Sequence, residues 1–98
     1  MQIKHTAVAG TLESSDAMVT VDTAREGIEI HITSPVIHQF GNQIRRVVLE
    51  TLEKLEVTSA DVTVVDHGAL DCTLKARVEG AVYRAADCSQ ADISWEVL

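Results

Sequence analysis

Aromatic residues are scarce in this chain, and their scarcity limits what it can bind. Among 98 residues there is one phenylalanine, one tyrosine and one tryptophan. Proteins that hold single-stranded nucleic acid stack its bases on aromatic side chains, and this sequence offers little such surface. Basic residues are also few, since eight Lys and Arg stand against 15 Asp and Glu, a net charge of -7. Phosphate backbones are bound by clustered Lys and Arg, so we expect no nucleic-acid partner.

Long apolar runs and closely spaced cysteines are also missing. No stretch is long enough to span a membrane, so we expect no membrane partner. The first residues, Met1 to His5, lack the apolar run of a signal peptide. Cys72 and Cys88 lie far apart in the sequence, which is typical of reduced thiols. These features predict a cytoplasmic protein.

The length and composition favour one folded unit. An apolar content of 46% is ordinary for a folded protein, and 98 residues fit a single core. We therefore expect one domain over residues 1–98, with a weakly patterned tail at residues 87–98. In that tail Ile93, Trp95 and Val97 alternate with polar neighbours, which is typical of an edge strand or a docking segment.

Alternation of apolar and polar residues predicts three strands near the N-terminus. Residues 7–12 alternate loosely, residues 17–23 more clearly, and residues 27–33 most strongly, with isoleucine at every second position. A period of two is typical of strands with one buried face. Short segments rich in turn-forming residues connect the three, so we expect an antiparallel meander.

Helical spacing predicts a long helix in the middle of the chain. Ser34 is a good N-cap, and Pro35 suits the first helical position. An apolar stripe that includes Phe40 and Val48 then recurs at helical spacing as far as Leu55, where we expect the helix to end. This helix is expected to pack on one face of the sheet.

A strand and a second helix are predicted to follow. Residues 61–66 are apolar on both faces, as in a buried strand. Residues 70–78 fit a period of two as well as a helix, but the helical pattern continues to Ala85, and this length favours a helix. The sequence therefore predicts an α+β fold, a small single domain in which an N-terminal antiparallel β-meander is followed by helix, strand and helix.

The segment Gly10 to Asp16 carries the most promising polar groups. Its sequence, GTLESSD, places Ser14 and Ser15 between acidic neighbours at the tip of a predicted hairpin. Ser14 lacks the G-x-S-x-G setting of a hydrolase nucleophile. From the residues alone, the two serines are either turn formers or exposed functional hydroxyls.

Other polar groups give weaker candidates. The four histidines do not fall at metal-ligand spacings and the cysteines form no C-x-x-C unit, so we predict no metal site. Cys72 and His67 flank a helix start, where a thiol pKa can fall, but Cys72 lies near the apolar stripe, and buried cysteines are usually inert. Asp66, Asp71 and Glu79 could form acid–base pairs, although helix caps and surface positions account for them equally well.

Four blocks of the sequence resemble the acyl carrier proteins of citrate lyase, the small gamma subunits of that bacterial complex. The resemblance runs from the N-terminus to about Ala86, and the tail from Asp87 departs from the family pattern. Blocks in the right order and spacing are more specific than one short motif. They are AGTLESSD at residues 9–16, GIEI at residues 27–30, QFG, QIR and VVLETL within residues 39–52, and DHGALDC and KARVE within residues 66–79.

The resemblance implies a covalent prosthetic group on Ser14. In that family the first serine of the pair carries a phosphoribosyl dephospho-coenzyme A, joined through a phosphodiester. The arm ends in a thiol that bears acetyl or citryl groups as thioesters. Glu13 and Asp16 would then keep the tip solvated or guide the transferase that attaches the arm, or they would simply be turn residues.

The same resemblance implies a carrier that catalyses no reaction by itself. An alpha subunit would exchange acetyl for citrate on the arm, and a beta subunit would cleave the citryl thioester into oxaloacetate and acetyl-carrier. Two other interpretations stay open. A carrier subunit of a malonate decarboxylase-like complex shares the serine turn and the order of elements, and a non-carrier interaction module would use the serines only to form the turn.

Overall fold

The computed structural model describes residues 1–35 and 37–87 and confirms the predicted α+β class and element order. The predicted strand pattern of Ile93, Trp95 and Val97 lies outside the described residues. Within them, neither helix is long and apolar enough to cross a bilayer. The elements are β1 (Ala7–Gly10), β2 (Ala17–Asp22), β3 (Ile28–Thr33), α1 (Ile37–Lys54), β4 (Ala60–Asp66) and α2 (Asp71–Ala85).

The four strands form one sheet in the order β1-β2-β4-β3. β2 pairs antiparallel with both β1 and β4, whereas β3 pairs parallel with β4. The predicted meander is therefore right for β1 and β2 and wrong for β3, which has no pairing with β2. β4 takes the place between them because it is the more apolar strand, with Val62 and Val64 fully buried. α1 supplies the long crossover that a parallel β3–β4 pair requires.

The core lies between the sheet and a layer of two helices. α2 packs on β1 and β2, α1 packs on β3, and the helices pack on each other. Residues paired across the strands share a face, and the buried face carries the predicted alternating valines of β2. The residues with no exposed surface are aliphatic apart from Glu79, and they include Val19, Val21, Val48, Leu52, Val78 and Val82.

The boundaries of α1 differ from the prediction. The helix begins at Ile37, and the hydroxyl of Ser34 donates a hydrogen bond of 2.9 Å to Oδ2 of Asp66, so it links the β3–α1 connection to the end of β4. Lys54 is the last helical residue, one before the predicted end. Phe40 was assigned to the apolar stripe, yet 48% of its surface is exposed.

α2 confirms the helical interpretation of residues 70–78, since the helix runs from Asp71 to Ala85. Two side chains on it were placed wrongly. Cys72 is exposed, in its first turn, rather than buried in the apolar stripe. Glu79, to which a surface position was given as an explanation, is fully buried.

Glu79 is an uncompensated carboxyl group in the helical layer. Neither of its oxygens has a hydrogen-bond partner among the described residues, and Nζ of Lys75 is 3.9 Å from Oε1. Burial raises the pKa of Glu79 above its ordinary value of 4.5, and the charges of Lys75 and Lys54 oppose this shift less strongly. A buried carboxylate that accepts no hydrogen bond destabilises the folded state wherever it must ionise.

Replacing Glu79 with methionine should stabilise the protein at neutral pH. Because the folded pKa is raised, the contribution of Glu79 to stability is present below pH 4.5 and is lost as the pH rises through the folded pKa. We expect Glu79→Met to raise the free energy of unfolding at pH 7.5 by about 1–2 kcal/mol and to have a smaller effect at pH 4.5. Urea denaturation at the two pH values measures this. Glu53→Met, at an exposed position of α1, is the control, and equal destabilisation by both changes would contradict the prediction.

Candidate functional site

The predicted turn between the first two strands is present, and we call residues 11–16 the serine turn. It joins β1 to β2 at the point where the strand register pairs Gly10 with Met18. Ser14 and Ser15 are both exposed at its tip. The structure therefore offers two adjacent hydroxyls to solvent at one end of the sheet.

The backbone of the serine turn has an unusual conformation. Ser15 has φ of 62°, in the left-handed region that few residues other than glycine adopt. The N–H of Asp16 donates to the carbonyl of Glu13, at 3.2 Å, and closes the tip. A strained residue of this kind persists only where surrounding contacts hold it in place.

Two of those contacts come from the end of β4. The N–H of Ser15 donates to the carbonyl oxygen of His67 at 2.8 Å, and the N–H of His67 donates to the carbonyl oxygen of Asp16 at 2.9 Å. They continue the β2–β4 ladder past its last pair, Ala17 with Asp66. The serine turn is therefore fastened to the central strand as well as to its own hairpin.

Asp16 anchors the serine turn to α2. Arg77 binds it with two hydrogen bonds of 2.9 Å, Nε to Oδ1 and Nη2 to Oδ2. The hydroxyl of Thr11 donates to Oδ2 at 2.6 Å, and the N–H of Ala17 donates to Oδ1 at 2.7 Å. Both carboxylate oxygens thus accept two bonds each, in the bidentate geometry that suits a guanidinium.

These donors also set the charge state of Asp16. Arg77, then Thr11 and then the N–H of Ala17 hold the pKa of this carboxyl well below its usual range, and Asp16 in turn raises the pKa of Arg77. Only 9% of Asp16 is exposed. Keeping the tip solvated is therefore not its role, and the carboxylate is an internal support of the turn. Glu13 is exposed.

Gly10 allows the hairpin to close. Its φ is 98°, and a Cβ atom at this position would lie 1.9 Å from the carbonyl oxygen of Ala17 and 3.1 Å from Cδ of Arg77. No side chain fits there without moving backbone atoms. The glycine that opens the GTLESSD segment is thus required by the close approach of the two strands.

The other candidate acids, Asp66 and Asp71, accept hydrogen bonds that hold loops and helices together. Asp66 is buried and accepts bonds from Ser34 and from the N–H of Ala69, at 3.0 Å, so it closes the loop after β4. Asp71 accepts two bonds from Nε2 of Gln43, at 3.0 and 3.2 Å. Neither carboxylate forms an acid–base pair with another carboxylate in the described part of the chain.

The thiol–base pair considered for Cys72 and His67 also has no support in its geometry. His67 and Cys72 are both exposed, and the described structure shows no hydrogen bond between their side chains. The backbone of His67 is the part that the serine turn uses.

The spacing analysis missed one cluster of metal-binding residue types. Glu29, His31 and Asp61 bring their ligand atoms within 4.8 Å of one another on the sheet, at the opposite end of β4 from the serine turn. Nε2 of His31 is 3.3 Å from Oδ1 of Asp61 and 3.7 Å from Oε2 of Glu29. Strand alternation relates Glu29 and His31, but Asp61 joins them only through the β3–β4 pairing, which the sequence analysis did not predict.

Comparison with known proteins finds one matching family model and several similar acyl carrier proteins. Residues 4–85 match the family model described as malonate decarboxylase delta subunit (MdcD). The citrate lyase acyl carrier protein of Oenococcus oeni is 49% identical over the whole of both chains. The protein of the same name from Streptococcus mutans is 56% identical over 94% of this chain and 91% of its own, and that from Lacticaseibacillus casei is 52% identical over 98% and 93%.

A solved structure shares the fold. Mevalonate kinase of L. major, crystallised with R-mevalonate, superimposes with a TM-score of 0.51 over 94% of this chain and 32% of its own. The two sequences are 16% identical, so the likeness concerns the arrangement of strands and helices alone.

Two glycine substitutions should separate the cost of a left-handed backbone conformation from the cost of a steric clash. Gly27 also has a positive φ, 72°, but a Cβ there meets no atom within 4 Å. We expect Gly27→Ala to lower the free energy of unfolding by about 1–2 kcal/mol, the cost of the left-handed region. Gly10→Ala should cost more, about 3 kcal/mol or above, because it also collides with backbone. Equal losses in urea denaturation would show that the strands do not close on Gly10.

Removing the guanidinium should release the pKa of Asp16. In Arg77→Gln we expect it to rise toward its ordinary value of 3.8, followed by NMR titration of the side-chain carboxyl carbon. In the wild type the lowered pKa contributes stability that is present above pH 3.8 and is lost as the pH falls, so stability below pH 4 should fall less steeply in the variant. Arg84→Gln is the control, because Arg84 also reaches from α2 to β1 but bonds the carbonyl of Val8. An unchanged Asp16 titration in Arg77→Gln would contradict the assigned contact.

Proposed function

Because this chain belongs to the citrate lyase acyl carrier protein family, we propose that it carries acyl groups on an arm attached covalently to Ser14. The observation that carries the proposal is an exposed serine on an anchored turn. The turn is held by Asp16 and Arg77 on one side and by the backbone of His67 on the other. Such a platform presents one hydroxyl at a fixed place while leaving the space around it open.

The arm we propose is a phosphoribosyl dephospho-coenzyme A in phosphodiester linkage to the Ser14 hydroxyl. When bound, it supplies a thiol that holds acetyl or citryl groups as thioesters. The exposed tip fits such a group, because a long substituent on Ser14 meets no covering element. The choice of Ser14 over Ser15 follows the family, in which the first serine of the pair is modified.

Asp16 is not available as a base that would activate the Ser14 hydroxyl. Asp16 directly follows the two serines. Both of its carboxylate oxygens already accept hydrogen bonds, which come from Arg77, Thr11 and Ala17. Its lowered pKa makes it a weak proton acceptor. We therefore assign activation of Ser14 to the transferase that attaches the arm.

The proposed role is that of a non-catalytic subunit in the cytoplasm. An alpha subunit would exchange the acetyl group of the arm for citrate, and a beta subunit would cleave the citryl thioester. A tether keeps the thioester at a high effective concentration near each active site without tight contacts between the proteins. The acidic surface, with a net charge of -7, favours basic docking surfaces on those partners.

A carrier subunit of a malonate decarboxylase-like complex is the second candidate, and the family model that matches residues 4–85 favours it. The curated relatives at about half identity favour citrate lyase. Acyl exchange by the reconstituted complex separates the two candidates. Exchange with citrate and not malonate supports the citrate lyase carrier, and exchange with malonate and not citrate supports the malonate decarboxylase-like carrier.

Intact-mass measurement tests the attachment site. We expect protein co-expressed with the arm-building enzymes and the transferase to gain a coenzyme-derived mass, which Ser14→Ala loses completely. Ser15→Gly is the matched control, because glycine tolerates the φ of 62° at that position, and it should keep the addition. Protein made without the transferase should have the unmodified mass.

Two results would contradict this assignment. Loss of the addition in Ser15→Gly together with its retention in Ser14→Ala would move the site by one residue. An unmodified wild type after co-expression would favour the non-carrier interaction module.

A further inference from the structure

An open groove of about 540 Å³ lies beside the serine turn, between α1 and the loop that leads from β4 into α2. Its apolar lining comes from Phe40 and Ile44 on α1 and from Ala69 and Leu70 on the loop. Gln43 and Asp71 contribute polar groups. A concave surface of this size, mostly apolar with a few polar groups, is typical of small-ligand sites.

Leu70 is poorly explained by the stability of the fold. It is the N-cap residue of α2, a position that favours Ser, Thr, Asp and Asn, and no side chain makes a cap hydrogen bond there. Its side chain also adds little to the core, since 70% of the residue is exposed. A residue that breaks a local preference without a compensating contact is a candidate for function.

Phe40 is the second unexplained apolar residue, and it faces the same groove. It is the single phenylalanine of the chain and is 48% exposed on α1. Ile44, one helical turn later, is buried, so the apolar surface runs from the core out to the groove. Phe40 and Leu70 together give the groove an exposed apolar wall on both sides.

The polar groups of the groove favour an uncharged ligand. Gln43 donates to Asp71 at 3.0 and 3.2 Å, which ties α1 to the start of α2. Asp66 and Asp71 both line the groove, and Asp71 is the exposed one of the two. They accept hydrogen bonds from amide N–H groups, but they repel phosphates and carboxylates.

The groove is continuous with the serine turn. The carbonyl of His67 accepts the hydrogen bond from Ser15, and the chain neighbours of His67, Asp66 and Gly68, both line the groove. Two residues, Gly68 and Ala69, lie between His67 and Leu70, so the Cα atoms of His67 and Leu70 are at most about 11 Å apart. An arm of coenzyme A size on Ser14 is long enough to fold back over that distance.

Building on the proposed function, we propose that the uncharged pantetheine portion of the Ser14-linked arm rests in the groove between Phe40 and Leu70. Its methylene groups contact the two apolar walls, and its amide N–H groups donate to the exposed carboxylate of Asp71. Tethering gives the arm a millimolar effective concentration, so contacts too weak to hold free pantetheine are sufficient. An acetyl end fits this resting position, whereas a citryl end brings carboxylates toward two acids.

Backbone amide NMR shifts of apo and holo protein test this inference. We expect attachment of the acetylated arm to shift the amides of Ser15 and Asp16, next to the linkage, and also those of residues 68–71 and 40–44. In Leu70→Ser the shift changes in the groove should fall by at least about twofold, since the resting population depends on the lost apolar contact. Serine is a better N-cap than leucine, so this variant keeps α2 intact.

A matched control removes an exposed apolar side chain elsewhere. Val8 on β1 is 42% exposed and does not line the groove, so Val8→Ser should leave the groove shifts unchanged. Phe40→Ser should act like Leu70→Ser, and it keeps the test decisive if one variant folds poorly.

Three results would overturn the inference. Shifts confined to the serine turn in the holo protein would show that the arm stays in solvent. Groove shifts that weaken on dilution would assign the groove to a second copy of the chain. Groove shifts that persist unchanged in both variants would show that Phe40 and Leu70 do not hold the arm. The mass of the same sample establishes loading on Ser14, so a missing addition would count against the proposed function instead.

Discussion

The bidentate contact between Asp16 and Arg77 is the constraint on which the rest of the site depends. It joins the first hairpin to the last helix, and it holds the residue that directly follows the two exposed serines. Thr11 and the N–H of Ala17 complete the acceptors of the same carboxylate. One buried acid therefore connects the first residue of the serine turn, the strand after the turn and the helical layer, while the serines stay open to solvent.

Local patterns predicted the elements well because each element has a regular pattern of apolar residues within its own short segment. The alternating valines of β2, the two apolar faces of β4 and the helical period as far as Ala85 are all properties of a short segment. The same patterns indicate which face of a strand is buried, but they do not indicate which strands pair with it. That is why β3 was placed next to β2, although β4 lies between them.

The exposed tip of the serine turn was predicted from the sequence, but the contacts that support the turn were missed. Exposed serines between acidic residues suggest a turn, but the partner of Asp16 is 61 residues away along the chain. No period or spacing relates such residues, so the sequence left Asp16 as a solvating, recognition or turn residue. Phe40 was misplaced for a related reason. Helical spacing places it on the apolar stripe, but its side chain lies half exposed at the groove that Leu70 also lines.

The position of the supporting residues along the chain also sets an order of events during synthesis. The serines belong to the first hairpin, but His67 and Arg77, which hold their turn, are translated more than fifty residues later. A nascent chain that has released only its N-terminal half therefore displays both hydroxyls without the shape around them. An enzyme that recognised that shape would act only on folded copies in which residues as late as Arg77 are already in place.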